Sequence, residues 1–253
     1  MPKCRLCKQE KELIKKSHII PNFMYQNLFD EKHRLRNFDT AALKGEGGRI
    51  DKPQSGIHEG GLLCSDCDGG IIGNRYESYA SKTIFGGELL TTEIPEIKKY
   101  KDPNGLEFSL ISNIDYTRFK LFLLSILWRA SISSKNFFQD INLGEKHEEI
   151  IRDMLYNVNP GDNDDYPIVP IFYLRDEKMP EAIIEPSRGK TKDGANIYTF
   201  VMAGAFFVYF VNSKNKKTPE YVHEITINLN NEFKFLHIPD GKEWTYLSRF
   251  LGL

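Results

Sequence analysis

The sequence predicts an α+β fold in which a cysteine-rich N-terminal module precedes a domain of two helices and a mostly antiparallel sheet. Three observations support this prediction. Four cysteines occur as two Cys-x-x-Cys pairs near the N-terminus. A strongly apolar helical pattern covers residues 115–134, and a series of short strand-like segments follows it. We therefore expect a module of residues 1–95 and an α+β domain of residues 105–253.

The composition is that of a globular protein with a substantial core. The chain has 253 residues, of which 40% are hydrophobic and 12% aromatic, and its net charge is −1. Such a molecule has no bulk attraction to nucleic acid or anionic membranes. Its charge is uneven, because residues 1–37 hold nine bases and four acids, whereas residues 140–185 hold four bases and twelve acids. A polyanion would therefore meet the first module, although such charges are also typical of solvated faces.

The sequence gives no signal for export or membrane insertion. The first residues are polar and lack the apolar core of a signal peptide. The apolar runs at residues 121–128 and 200–211 are shorter than the roughly 20 residues that a membrane-spanning helix needs. We expect a cytoplasmic protein with no membrane partner. In a reducing compartment, paired cysteines with none left over indicate metal ligation rather than disulfides.

The cysteine pairs are Cys4 with Cys7 and Cys64 with Cys67. A closed Zn²⁺ site takes four thiolates in a tetrahedron, and each pair can place two sulfurs on one metal with little strain. The long segment between the pairs is no obstacle, because loop-closure entropy grows only logarithmically with length. We therefore expect one structural zinc ion on all four cysteines. A redox role is the weaker interpretation, since neither pair lies in a thioredoxin-like strand-to-helix pattern.

Two contrasting segments lie between the pairs. Residues 17–21 read Ser-His-Ile-Ile-Pro and predict a short strand, whereas residues 44–61 carry six glycines and one proline and predict irregular structure. After the last cysteine, Asp-Gly-Gly predicts a turn. A helix should follow, because apolar and aromatic residues recur there at helical spacing. These residues are Ile72, Tyr76, Tyr79, Ala80 and Ile84.

Two helices open the second half, after a polar stretch at residues 98–105 that predicts a domain boundary. The first covers residues 115–134 with Asp115 as its N-cap, and its apolar character on nearly all sides predicts burial. The second is amphipathic and covers residues 143–156. Its predicted apolar stripe comprises Ile150, Ile151, Met154 and Leu155.

On the buried helix, we expect Trp128 in the core and Arg129 paired with an acid such as Asp153. Strand-like segments follow at residues 167–174, 182–185, 196–204, 205–212, 222–229 and 232–238. Two asparagines between the last two segments are a hairpin-turn signal. Two helices packed on a mostly antiparallel sheet are the fold that this order predicts.

The N-terminal layout resembles the zinc-containing HNH, or ββα-metal, endonucleases. The resemblance rests on a Cys-x-x-Cys knuckle, a His-Ile-Ile-Pro strand and a Leu-Cys-x-x-Cys knuckle that leads into a helix, and it covers about the first 85 residues. It implies a histidine that acts as general base on a water attacking phosphodiester phosphorus. It also implies a single divalent cation, Mg²⁺ or Mn²⁺, held by an acid and by the position after the last cysteine.

The resemblance assigns roles to individual residues. His18 matches the general base, since imidazole titrates near neutrality. Asp68 matches the metal ligand at the start of the helix, and Glu59 matches the asparagine that steadies the loop. Glu77 is a further candidate for the cation site, as are His58 and Asn74. Ser17 stands where the family commonly has an acid, and the segment between the strand and the second knuckle is longer than usual.

Two functions remain open at this stage. The first is a metal-dependent endonuclease acting on DNA or RNA, whose C-terminal domain would recognise the substrate, a protein partner or a trigger. Such an enzyme would suit bacterial defence against foreign DNA. The second is a non-catalytic zinc-ribbon module that binds nucleic acid or a protein partner, with His18 as a structural strand histidine.

Overall fold

A computed structural model describes residues 1–29, 55–173, 182–211 and 218–251 of the chain. The N-terminal part contains two very short strands and a long helical segment. In chain order these elements are β1 (Ser17–His18), a 3₁₀ helix (Asn22–Leu28), β2 (His58–Glu59), a π-type helical segment (Asp66–Glu77) and α1 (Ser78–Phe85). Short 3₁₀ helices also occur at Thr91–Glu93 and Asn136–Phe138.

The rest of the described chain forms the sheet and the remaining helices. The strands are β3 (Glu96–Lys101), β4 (Glu107–Ser112), β5 (Ile168–Phe172), β6 (Ile184–Lys190), β7 (Asn196–Met202), β8 (Ala205–Phe210) and β9 (Phe233–His237). The helices are α2 (Tyr116–Ile132), α3 (Glu145–Tyr156), α4 (Glu220–His223) and α5 (Glu243–Leu251).

The seven-stranded sheet has the order β3-β4-β9-β5-β8-β7-β6. Its strand pairs are antiparallel except for β5 with β9, which run parallel. The predicted α+β class with a mostly antiparallel sheet is therefore confirmed. β1 and β2 form a separate two-stranded antiparallel sheet near the N-terminus.

Helix α2 forms the centre of the core, as predicted. The side chain of Asp115 accepts a hydrogen bond from the backbone N–H of Arg118 (2.8 Å), which confirms it as the N-cap. Thirteen residues of the helix are buried, including Trp128. The hydroxyl of Tyr209 on β8 donates to the backbone carbonyl of Leu123, so the helix is also fastened to the sheet.

The N-terminal part shares its core with the second half. Cys4, Leu6, Ile72 and Tyr76 belong to the same buried cluster as most of α2 and the inner face of the sheet. The hydroxyl of Tyr76 donates to the carbonyl of Leu155 on α3 (2.6 Å). Although the division into residues 1–95 and 105–253 stays a prediction, burial of apolar surface joins the two parts.

Several local predictions are wrong. Residues 222–229 do not form a strand, since the chain turns there after α4 and makes only a bridge between Asn228 and Glu232. The stretch 98–105 forms part of the β3–β4 hairpin, and the domain boundary expected there stays a prediction. The expected turn of Asp-Gly-Gly lies inside the helical segment, and Ile150 is 40% exposed, whereas its neighbour Ile151 is buried. Successive helix positions are rotated by about 100°, which turns Ile150 off the buried face.

Among the described residues, none of the helices combines the length and apolar character that crossing a membrane would require.

Candidate functional site

The four cysteines come together at one point of the N-terminal part. Their Sγ atoms all lie within 4.8 Å of one another, and Cys7 and Cys64 are 4.0 Å apart. A tetrahedral zinc–thiolate site has Zn–S bonds of about 2.3 Å, which places its sulfurs about 4 Å apart. All four cysteines are free of disulfides. The cluster can therefore hold a metal ion such as zinc, and within the described residues it is the one such group of three or more His, Cys, Asp or Glu side chains.

Each knuckle is shaped by backbone hydrogen bonds. In the first, the N–H of Lys8 donates to the carbonyl of Cys4, and Lys8 has a positive φ of 59°. In the second, the N–H groups of Cys67 and Asp68 both donate to the carbonyl of Cys64 (3.1 and 2.9 Å). A bridge between Leu13 and Cys64 joins the segment that follows the first knuckle to the second knuckle, across more than fifty residues. These bonds aim the four thiols at a common centre.

The protein environment also affects the thiols electrostatically. Burial raises the pKa of Cys67. Burial acts in the same direction on Cys4, but hydrogen bonds from backbone N–H groups, including those of Cys7 and Cys64, hold its pKa below the ordinary value. Backbone donors of this kind favour a thiolate, which is the form that ligates a metal.

The first knuckle is anchored on helix α3. The guanidinium of Arg152 donates to the carbonyl of Leu6 (2.8 Å), which lies between the two cysteines of the knuckle. Arg5 and Lys8 form ion pairs with Glu148 and Glu149 of the same helix, at 4.0 and 3.1 Å. Because these two ion pairs are largely exposed, each is worth only a fraction of a kcal/mol, up to about 1. They orient the knuckle more than they stabilise it.

The strand pair β1–β2 lies between the cysteine knuckles in sequence. Ser17 pairs with Glu59, and His18 pairs with His58. The two imidazole rings pack edge to face, with centroids 5.8 Å apart. The Nδ1 atom of His58 is 3.1 Å from the carbonyl oxygen of Gly56. The strand pair therefore brings a second histidine beside the predicted general base.

His18 has an unusual environment. Its Nε2 atom is buried and has no hydrogen-bond partner among the described residues. Burial lowers the pKa of His18, and the neighbouring His58 and Arg129 lower it further, whereas Asp68 acts in the opposite direction. The imidazole is therefore neutral near pH 7 and can accept a proton or a ligand on a nitrogen. A buried polar atom without a partner costs free energy, so a bound group at this nitrogen would stabilise the fold.

Asp68 lies next to this strand pair. The hydroxyl of Ser17, which is fully buried, donates to its Oδ1 atom at 2.5 Å. Because the carboxylate keeps further lone pairs after this one bond, it can still accept a ligand. The second knuckle thus places Asp68 against β1, close to His18, as the sequence predicts for a cation ligand.

Glu59 is held by the end of helix α2. Its carboxylate accepts hydrogen bonds from the hydroxyls of Ser133 and Ser134 and from the backbone N–H of Ser134. Burial acts to raise the pKa of Glu59, but these donors and the Lys135 charge lower it below the ordinary value. The side chain therefore fastens β2 to the C-terminus of α2.

Glu77 is held by a buried arginine. Its Oε1 atom accepts from Arg129, which is 2% exposed, at 2.7 Å. The same guanidinium donates to the backbone carbonyl of His18 at 2.6 Å. The expected partner of Arg129, Asp153, instead pairs with Arg152. Arg129 of α2 thus links the Glu77 carboxylate to β1, the strand that carries His18.

The sequence predicted the cluster of four cysteines but not the partners that fix the two glutamates. Ser133, Ser134 and Arg129 are more than fifty residues distant in sequence from the groups they bind. A charged residue inside the apolar pattern of α2 was the one available signal for Arg129.

Comparison of the chain with protein-family models, with curated proteins and with solved structures finds no match.

Proposed function

We propose that this protein is a divalent-metal-dependent endonuclease that cleaves phosphodiester bonds of nucleic acid with His18 as its general base. The observation that carries the proposal is the neutral, half-buried imidazole of His18, whose Nε2 has no partner among the described residues, beside His58 and Asp68. The order of β1, β2 and a helix that starts at the second cysteine pair supports the resemblance to ββα-metal nucleases.

The residues around His18 have separate roles in the proposed cleavage. His18 accepts the proton of a water molecule as the water oxygen attacks phosphorus. Asp68 supplies carboxylate oxygens for Mg²⁺ or Mn²⁺, and His58 contacts the scissile phosphate. A bound divalent cation would stabilise the negative charge that develops on the phosphoryl oxygens and on the leaving oxygen.

The two glutamates have positioning roles in this proposal. The expectation from the sequence placed Glu59 and Glu77 directly at the catalytic and cation sites. In this proposal, Glu59 positions β2 through its hydrogen bonds to Ser133 and Ser134 at the end of α2. Glu77 positions β1 through Arg129 of α2. The four cysteines hold a structural Zn²⁺ ion that keeps Asp68 beside the strand pair. A cytoplasmic location, where thiols stay reduced, agrees with this role.

The test is a cleavage assay with supercoiled plasmid, single-stranded DNA and RNA, each with Mg²⁺ or Mn²⁺. The wild-type protein should nick at least one substrate, and His18→Ala should lose at least a hundredfold in rate, which is the contribution expected of a general base. His223→Ala is the matched control, since His223 lies on α4 and pairs with Asp164. Cleavage that persists in His18→Ala, or no cleavage of any substrate, contradicts the proposal.

A second candidate is a non-catalytic zinc module that binds nucleic acid or a protein partner. It is favoured by the engagement of both glutamates in structural contacts and by the fact that, of the described His, Cys, Asp and Glu side chains, only the four cysteines gather as a metal cluster. In this case the assay above gives no product, while salt-sensitive retention of nucleic acid remains.

A further inference from the structure

One end of the large sheet carries a surface that the proposed site does not use. The strands β3, β4 and β9 lie side by side there. Alternate residues of a strand face opposite sides of a sheet. Ile111 on β4 and Phe233 and Phe235 on β9 pack on the core. Their neighbours Leu110 and Lys234 therefore face the other side.

The strand register defines the residues of this outer surface. Tyr100 pairs with Phe108, which pairs with Leu236. Lys98 pairs with Leu110, which pairs with Lys234. Two rows of side chains therefore cross the three strands. The first, which we call the aromatic row, is Tyr100, Phe108 and Leu236, and the second has a lysine at each end. The two rows are about 7 Å apart along the strands. We call these six residues the outer surface: Lys98, Tyr100, Phe108, Leu110, Lys234 and Leu236.

The aromatic row presents the ring of Tyr100 to solvent, whereas Phe108 and Leu236 are half-buried. Tyr100 and Phe108 stack with centroids 5.3 Å apart and an angle of 19° between their planes. Tyr100 is 45% exposed although it is a large aromatic residue. The Nζ atom of Lys234 lies 5.9 Å from the centre of the Phe108 ring. Exposed aromatic rings next to cations are the chemistry that stacks nucleobases and neutralises phosphates.

The charge of this region differs from that of the whole chain. On β3, Lys98 and Tyr100 share the outer side of the sheet with Glu96, whereas Lys99 and Lys101 face the other side, where Lys101 pairs with Glu107 at 3.2 Å. The Lys98 side chain is 64% exposed and has Glu96 as a weak partner at 3.8 Å. Lys98 and Lys234 outnumber Glu96 on the outer side of these three strands. A polyanion gains from this positive charge, and counterion release makes its binding salt-dependent.

We propose that the outer surface binds single-stranded nucleic acid, with a base stacked on Tyr100 and with phosphates next to Lys98 and Lys234. Unpaired bases can reach the flat aromatic row, whereas the bases of a duplex are stacked inside the helix. This inference rests on the proposed function for the choice of nucleic acid as the ligand. It adds the strandedness of the substrate and a binding site away from His18.

The test is fluorescence anisotropy with a labelled single-stranded DNA of about 15 nucleotides. The full-length, zinc-loaded protein is used without added Mg²⁺ or Mn²⁺, so that binding is measured in the absence of cleavage. Tyr100→Ala should weaken binding at least fivefold, and Tyr100→Phe should restore it, because the ring is what stacks. Tyr221→Ala is the control, since Tyr221 is 53% exposed on α4.

The lysines give an independent readout. Lys98→Gln combined with Lys234→Gln should lower the slope of log affinity against log salt by about 1 to 2, while Lys192→Gln in a distant turn leaves it unchanged. Equal affinities for Tyr100→Ala and Tyr221→Ala, or a labelled duplex bound as tightly as the single strand, would overturn the inference. Circular dichroism melting confirms that each variant is folded.

The binding and cleavage assays together distinguish a failure of the outer-surface inference from a failure of the proposed endonuclease. If Tyr100→Ala loses binding while the wild-type protein cleaves nothing, the outer surface stands and the nuclease proposal fails. If the wild-type protein nicks plasmid and Tyr100→Ala binds single strands normally, the nuclease stands and the outer surface is contradicted.

Discussion

The cysteine cluster and the His18 strand pair differ in what holds their side chains. The four thiols converge within 4.8 Å through knuckles that local backbone hydrogen bonds shape and that Arg152 of α3 anchors. Around His18, by contrast, the charged neighbours are fixed by helix α2, which lies far away in sequence. Glu77 binds Arg129, and Glu59 binds the two serines after the helix.

From this difference we expect the two sites to depend on different sources of free energy. A structural zinc site folds its own surroundings, because ligand binding and folding are one process. The strand pair instead depends on burial of α2 and on a charged network within it. We therefore expect changes at the cysteines and changes at α2 to have separable effects.

The largest effect should follow loss of a thiol ligand. Cys64→Ser, or prolonged chelation, should release one zinc ion per chain and unfold the N-terminal part, because structural zinc contributes on the order of 10 kcal/mol. Elemental analysis and thermal melting measure both effects. Ser65→Ala, an exposed change in the same knuckle, is the matched control. An unchanged metal content and melting profile in Cys64→Ser would mean that the cluster is not a metal site.

A smaller effect should follow loss of the buried arginine. Arg129→Met should cost about 3 kcal/mol, because it leaves the Glu77 carboxylate and the His18 carbonyl without their donor in a buried network. Chemical denaturation measures the free energy of unfolding. Arg75→Met, which removes an exposed arginine from the same helical segment as Glu77, should be nearly neutral.

The zinc content of Arg129→Met gives a second measurement, which tests whether the two sites are independent. Arg129→Met should retain its zinc, since the arginine bonds to no part of either knuckle. Loss of zinc from this variant would show that the two sites are one cooperative unit, which contradicts the distinction drawn above.

The smallest effect should come from Glu59. Glu59→Gln should cost about 1 kcal/mol near pH 7, because the carboxylate accepts charge-assisted bonds in a partly exposed place. Its pKa is lower in the folded than in the unfolded state, so the unfolded chain binds more protons in acid. The contribution is complete above the unfolded pKa and is lost as the pH falls through the folded pKa.

Denaturation of Glu59→Gln and wild-type protein at several pH values measures this difference. The two free energies of unfolding should converge as the pH falls below about 4, the ordinary range of a glutamate. Glu88→Gln, at an exposed position, provides the baseline. A difference that stays constant through the acid range would mean that the Glu59 charge has no role in holding β2.

Much of the fold could be predicted from the sequence because its signals are local. The apolar run of α2 and its Asp115 cap specify a buried helix, and the segments that became β5, β7, β8 and β9 are short runs rich in β-branched and aromatic residues. Residues 222–229 misled the prediction because Ile225, Ile227 and Leu229 alternate with polar residues, as in a strand. In the structure Pro219 precedes a helical turn there, and Val222 and Ile227 are buried from a turn rather than from a strand.

The site was predictable only where spacing determines geometry. The spacing of two Cys-x-x-Cys pairs alone predicts a four-sulfur cluster, independently of the fold of the other residues. The roles of Glu59 and Glu77 depend on which residues of α2 lie opposite them, and sequence separation hides such contacts. The same limit applies to the outer surface, because only strand register places Tyr100 beside Phe108 and Lys98 beside Leu110.

X-ray absorption at the zinc K-edge of the purified protein tests the central claim most directly. The claim is that one ion on Cys4, Cys7, Cys64 and Cys67 fixes Asp68 against the strand that carries His18. We expect a single zinc shell of four sulfurs at about 2.3 Å. A shell with nitrogen or oxygen ligands in place of sulfur, or a protein purified without zinc that melts normally, would contradict it.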